Sequence, residues 1–213
     1  MKKVILLEDK IDRDSLKQSN IDFTKYDNIE AVFGKDNCNK YLNNFNELDA
    51  FDTVIIHASI QYEEKNIIQQ LKNYCSNKSL VIFSGGGDIG TFKNNMLEVT
   101  AKSLYGNLSI FLEKYPKDSH ILMLAYGENW SLNILLNTLE KLNILIEDSD
   151  ESFEEDFDEF EDDFFHQIKK ILNHENYKSI FNDVIINNYE INLSQIKVIK
   201  DNLLNIINRI IYE

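Results

Sequence analysis

Asp52-Thr53-Val54-Ile55-Ile56-His57-Ala58-Ser59 is the stretch on which the fold turns. It is a short apolar run that opens on an acid and closes on a histidine and a serine. Its length and β-branched content read as a strand buried on both faces. Val4–Leu7, Leu80–Phe83 and Ile121–Leu124 have the same character, and Ile29–Phe33 reads as a further strand ended by Gly34. Continuous apolar strands separated by helical patterns imply a parallel sheet with helices on both faces. In such sheets ligands bind just beyond the carboxyl ends of the strands. The positions to examine are therefore Glu8 and Asp9, His57 and Ser59, Ser84 to Gly87, and Tyr126 and Gly127.

Helical patterns fill the intervals. Asn37 or Asn39 caps a helix reaching about Leu48, and Glu63–Ser76 forms another with Ile67, Ile68, Leu71 and Tyr74 inward. Thr91 to Tyr115 reads as one long helix stopped by Pro116. His120–Ala125 is then expected as the fifth strand. Asn129 starts a last helix, with Trp130, Leu132, Leu135, Leu139 and Leu142 facing the sheet.

The chain has 213 residues and a hydrophobic content of 43%. That suits a globular α/β domain of residues 1–146 followed by an appendage, 147–213. No apolar run approaches the roughly 20 residues that span a bilayer, and Val4–Leu7 is too short for a signal-peptide core. Cys38 and Cys75 have no metal-ligand spacing and read as free thiols of a reducing cytoplasm. The abundance of Asn, Ile and Lys fits an AT-rich bacterial genome.

The net charge of −14 is concentrated. Residues 147–163 hold twelve acids and no base, which leaves 24 acids against 22 bases elsewhere. A nearly neutral body argues against direct nucleic-acid binding through a basic face.

Two rim segments carry chemistry. Glu8-Asp9 opens a run of carboxylates after the first strand, and such groups suit Mg²⁺, which takes one or two carboxylates plus water. A solvated loop with a helix cap explains the same residues equally well. Ser84-Gly85-Gly86-Gly87-Asp88-Ile89-Gly90-Thr91 concentrates four of the seven glycines after a strand. Free backbone N–H groups there would suit a phosphate, although glycine also serves simply to turn the chain. The segment lacks the Gly-Lys-Ser/Thr of a P-loop, and its Gly85, Gly87, Gly90 spacing follows the wrong strand for a dinucleotide fingerprint.

Five β-α units with acids after the first strand resemble the receiver domain of two-component response regulators, over about residues 1–146. The resemblance implies a flavodoxin-like sheet of five parallel strands in the order 2-1-3-4-5. It also implies an acid pair at Glu8 and Asp9, a lead-in to a phosphoacceptor at Asp52–Ile56, and a hydroxyl at Ser84. Two departures stand out. His57 occupies the place of the phosphoacceptor Asp, and Tyr126 and Gly127 stand where a Lys is expected. Without the Asp no acyl phosphate forms, and without the Lys its oxygens lack a cation. The resemblance is therefore to a degenerate pseudo-receiver.

In the acidic segment Phe153, Phe157, Phe160 and Phe164 step by four, three and four, which places them on one face of a helix. Such a helix packs on its own body, remains a disordered linker, or docks in a basic groove of a protein partner. Ile196, Ile199, Leu203, Ile206 and Ile210 form a helical seam that packs on other C-terminal helices or completes a homodimer.

The expectation is a non-enzymatic regulatory or interaction protein of a bacterial signalling or defence system, needing no cofactor. The alternative is a metal-, nucleotide- or phosphate-binding sensor or enzyme using Glu8, Asp9, His57, Ser84 and Gly85, Gly86 and Gly87. In a third reading the acidic tail mimics nucleic acid toward a basic partner.

Overall fold

Val4–Glu8 (β1) is buried at every position, as its unbroken apolar run requires. A computed structural model describes residues 3–62, 66–86, 92–93, 95–115, 121–147 and 193–212. β1 pairs in parallel with Ile29–Phe33 (β2) on one side and Thr53–His57 (β3) on the other. β3 pairs in parallel with Ser79–Ser84 (β4). A two-residue strand, Phe92–Lys93 (β5), leads into Met96–Thr100 (β6). β6 runs parallel to β4, and β5 lies antiparallel on its outer side. The sheet order is β2-β1-β3-β4-β6-β5, so the five parallel strands taken alone follow 2-1-3-4-5. This is a flavodoxin-like α/β arrangement.

The strand side chains alternate between the two faces. Ile5, Leu7, Val54, Ile56, Leu80 and Ile82 face a core closed by Lys35–Leu42 (α2) and Ile67–Tyr74 (α3). The opposite face lies under Ala101–Lys114 (α4), with Asp14–Ser19 (α1) beside it. α4 is tied down by polar contacts as well as packing. Asn28 Nδ2 donates to the Leu112 carbonyl at 2.9 Å, and the Thr53 and Tyr115 hydroxyls meet at 3.1 Å.

The fifth parallel strand is not the one expected. Ile121–Leu122 is a turn and Met123–Tyr126 (α5) one helical turn, so His120–Ala125 supplies no strand across its described residues. Its Met, Leu and Ala favour helix, and a short apolar run alone does not separate strand from buried helix. The strand comes instead from 96–100, within the segment expected to be helix from Thr91. Leu97 and Val99 are buried while Met96, Glu98 and Thr100 are half-buried, a period of two. Thr100 then caps α4 by accepting from the Ser103 N–H. Other helices are shorter than their patterns: 3₁₀ turns at Phe45–Ala50 and Cys75–Asn77 replace the ends expected for α2 and α3.

The chain divides into two compact units, 1–128 and 129–213. In the second, Trp130–Glu147 (α6) and Leu193–Tyr212 (α7) pack together. Ile199, Leu203 and Ile206 of the expected seam are buried. Among the described residues no helix is long and apolar enough to cross a membrane.

Candidate functional site

Parallel pairing brings the ends of β1, β3 and β4 to one rim of the sheet. Glu8 closes β1 and is fully buried; His57 closes β3 and is 4% exposed. Glu8 follows Val4 and Leu6 onto the α4 face, and His57 follows Thr53 and Ile55 onto the same face. Asp9 lies one residue further out.

Arg13 binds these groups together. It sits at the N-cap of α1 with extended backbone, and no hydrogen bond from its side chain caps that helix. Its Nε donates to Glu8 Oε1 at 2.6 Å, and its Nη2 to Asp9 Oδ1 at 2.6 Å. The same Nη2 stands 3.0 Å from His57 Nδ1 and 2.7 Å from Ser59 Oγ. Glu8 also accepts from the Lys10 N–H at 3.1 Å, and its Oε2 from the Tyr105 hydroxyl at 2.9 Å. Arg13, Lys10 and Tyr105 each bring a donor to Glu8, while the Asp9 carboxyl also lies beside it.

His57 Nδ1 accepts from the Ser59 backbone N–H at 3.0 Å, so its proton belongs on Nε2. Nε2 is buried with no hydrogen-bond partner. The imidazole lies edge-on to Phe83, its strand neighbour, with ring centres 4.9 Å apart, and Phe83 meets Tyr105 in the same way at 5.5 Å.

The electrostatics follow from this arrangement. Burial, and after it the Arg13 charge, lowers His57 to about 4, so the ring is neutral at ordinary pH. Burial raises Glu8, against the donors that favour its charge. Burial pushes Asp9 upward too, but hydrogen bonds from Ser59 and Arg13 outweigh it and leave Asp9 below its ordinary value. Arg13 is raised: its bonds and ion pairs with Glu8 and Asp9 overcome a desolvation that opposes its charge.

Ser59 Oγ lies 2.7 Å from both His57 Nδ1 and Asp9 Oδ1. The set is nevertheless poorly arranged for nucleophilic catalysis. The base is weak, its second nitrogen has no orienting acceptor, and the hydroxyl is held among three partners. One ligand atom each from Glu8, Asp9 and His57 lie within 4.8 Å of one another, a set that could hold a metal ion.

The rim thus gathers Glu8, Asp9 and His57, as the sequence suggests. Ser84 lies on the same edge, one residue past Phe83, with its hydroxyl donated to the Gly86 carbonyl at 2.6 Å. Gly85 and Gly86 are exposed, and a Cβ on either meets nothing within 4 Å. Gly87 and Phe153, Phe157, Phe160 and Phe164 lie outside the described residues. Tyr126 and Gly127 close α5 rather than a strand. Arg13 and Tyr105 were not anticipated. Arg13 stands four residues after Asp9, but 9–13 is not helical, so the helical ion-pair pattern does not account for the contact. Tyr105, far along the chain, had no sequence signal. No family model, curated protein or solved structure matches the chain.

Proposed function

We propose that this chain is a regulatory interaction module built on a receiver-like domain that does not work as a phosphoryl switch. One observation carries the reading. The residue closing β3 at the rim is an imidazole whose Nδ1 is already engaged by Arg13 and Ser59, and the same Arg13 is bound to both neighbouring carboxylates. Among the described residues, the end of β3 offers no carboxylate to accept a phosphoryl group, and the guanidinium at this rim is already bound to Glu8 and Asp9.

The module then acts through its surface. The twelve acids of 147–163 give the chain a strong local field, which suits a protein partner with a basic face. The C-terminal helices offer a route to a homodimer, and the setting we favour is bacterial signalling or defence in the cytoplasm. The competing reading, a metal- or phosphate-binding sensor or enzyme at Glu8, Asp9, His57 and Ser84, draws support from the three converging ligand atoms.

The test is intact and peptide mass after incubation with acetyl phosphate and Mg²⁺. The mass is expected to stay unchanged. A stable phosphoryl gain on the peptide holding residues 52–59 would overturn the reading.

A further inference from the structure

β2 forms one edge of the sheet, and its ladder to β1 shows which of its groups face outward. The Val4 N–H donates to the Asn28 carbonyl at 2.8 Å, and the Gly34 N–H to the Glu8 carbonyl at 2.9 Å. Val4 stands opposite Ile29 and Glu8 opposite Phe33, so parallel pairing directs the backbone groups of residues 28, 30, 32 and 34 at β1. The N–H and C=O of Ile29, Ala31 and Phe33 therefore point away from the sheet. Among the described residues the Phe33 carbonyl accepts from Asn37 Nδ2 at 2.8 Å, and no hydrogen bond reaches the other outward groups.

The side chains along this edge are also incompletely covered. Ile29, Ala31, Val32 and Phe33 are half-buried, whereas β1 and β3 are buried at every position. Edge strands ordinarily avoid other chains by a lysine, a proline, a bulge or short length. β2 has five residues in unbroken register and none of these devices. Its one charged side chain, Glu30, accepts from the Tyr41 hydroxyl on α2. The opposite edge of the sheet ends in the two-residue β5.

We propose that β2 pairs antiparallel with β2 of a second copy of this chain, around a two-fold axis at Ala31. The register is self-complementary. Ala31 meets its own counterpart and Ile29 meets Phe33 of the second copy, so every outward N–H faces an outward C=O. The Phe33 carbonyl has a second lone pair beyond the one that Asn37 uses. Ile29, Ala31 and Phe33 share one face, because they stand opposite Val4, Leu6 and Glu8. The smallest side chain thus lies at the axis, and an Ile–Phe pair flanks it on either side, a combination that stabilises antiparallel strands. Charge favours the same register. Exposed Asp27 lies two residues before the strand and exposed Lys35 two residues after it, so antiparallel pairing brings each toward the opposite charge of the second copy. Parallel pairing would set Asp27 beside Asp27 and Lys35 beside Lys35. The contact is a single strand pair, so the dimer is expected to dissociate in the micromolar range.

The experiment is sedimentation equilibrium of the full chain, wild type and Ala31→Pro, up to about 200 µM. β1 does not use the Ala31 N–H, so proline leaves the sheet's own ladder intact and removes an outward donor. Wild type should show a monomer–dimer equilibrium, and Ala31→Pro should weaken it at least about tenfold without changing the far-UV circular dichroism. Asp27→Lys should weaken it as well, and adding Lys35→Asp should restore it. If Ala31→Pro does not fold, Ala31→Lys takes its place, because it sets like charges at the axis. A wild type that stays monomeric, leaving the edge to an extended segment of another protein, overturns the proposal. A dimer unchanged by Ala31→Pro, which would place the contact on other elements, also overturns it, as does a paired charge swap that fails to restore dimerisation. None of these readouts involves the rim, so they are independent of the acetyl phosphate test.

Discussion

The Tyr105 hydroxyl on α4 donates to Glu8 Oε2 at the end of β1, at 2.9 Å and across 97 positions of sequence. It is the direct link between the rim and the helix that covers this face of the sheet. Tyr105→Phe keeps the ring against Phe83 and removes only the donor. The buried carboxylate oxygen then loses its partner, which costs about 1–3 kcal/mol. Urea unfolding is expected to show that loss, and a change under about 0.5 kcal/mol would mean that the bond contributes little.

Stability should depend on pH through His57. Its folded value of about 4 lies below the ordinary 6.5, chiefly because burial disfavours the imidazolium. The unfolded chain takes up this proton as pH falls through 6.5, while the folded chain resists until about 4. The contribution is complete above 6.5 and is lost between 6.5 and 4. At its fullest it is roughly 3 kcal/mol. Glu8, held above its ordinary 4.5, works the other way, because the folded chain binds that proton first. Comparing wild type with His57→Gln separates the two. Between about pH 7.5 and about pH 4.5 wild type should lose roughly 2.5 kcal/mol more than the variant. Parallel curves would assign the pH response elsewhere.

Gly127 ends α5 with φ of 78°, and a Cβ there would stand 3.2 Å from Asn107 Oδ1. Both strain and crowding oppose a side chain. Gly127→Ala is expected to lower stability by about 1–2 kcal/mol, measured by thermal or urea unfolding. A neutral result would show that this turn relaxes freely.

Cys38 and Cys75 are buried free thiols, each pushed up to about 11, first of all by burial. Thiolate is the reactive form, so both should resist a thiol reagent in the native chain at mildly alkaline pH and react fully in urea. Rapid native labelling of either would contradict their placement.

Much of this architecture is legible in the sequence because fully buried strands leave apolar runs that little else produces, as at Val4–Leu7 and Val54–Ile56. The exceptions have physical causes. Met96-Leu97-Glu98-Val99-Thr100 alternates, flows into α4 without a break, and satisfies a helical pattern as readily as a strand. Met123-Leu124-Ala125 is apolar because it is buried, not because it is extended. At the rim, acids and the histidine can be found from strand ends alone. Arg13 cannot be assigned in that way, because its role depends on a guanidinium reaching back to two strand ends. Tyr105 depends on how α4 lies across the sheet, which no local pattern records.

β1 stands between β2 and β3. One flank of it can zip up once residue 33 has been synthesised, but the other must wait for residue 57. Until residue 57 is in place, one edge of this apolar strand lacks its neighbour, an opening for wrong partners during synthesis.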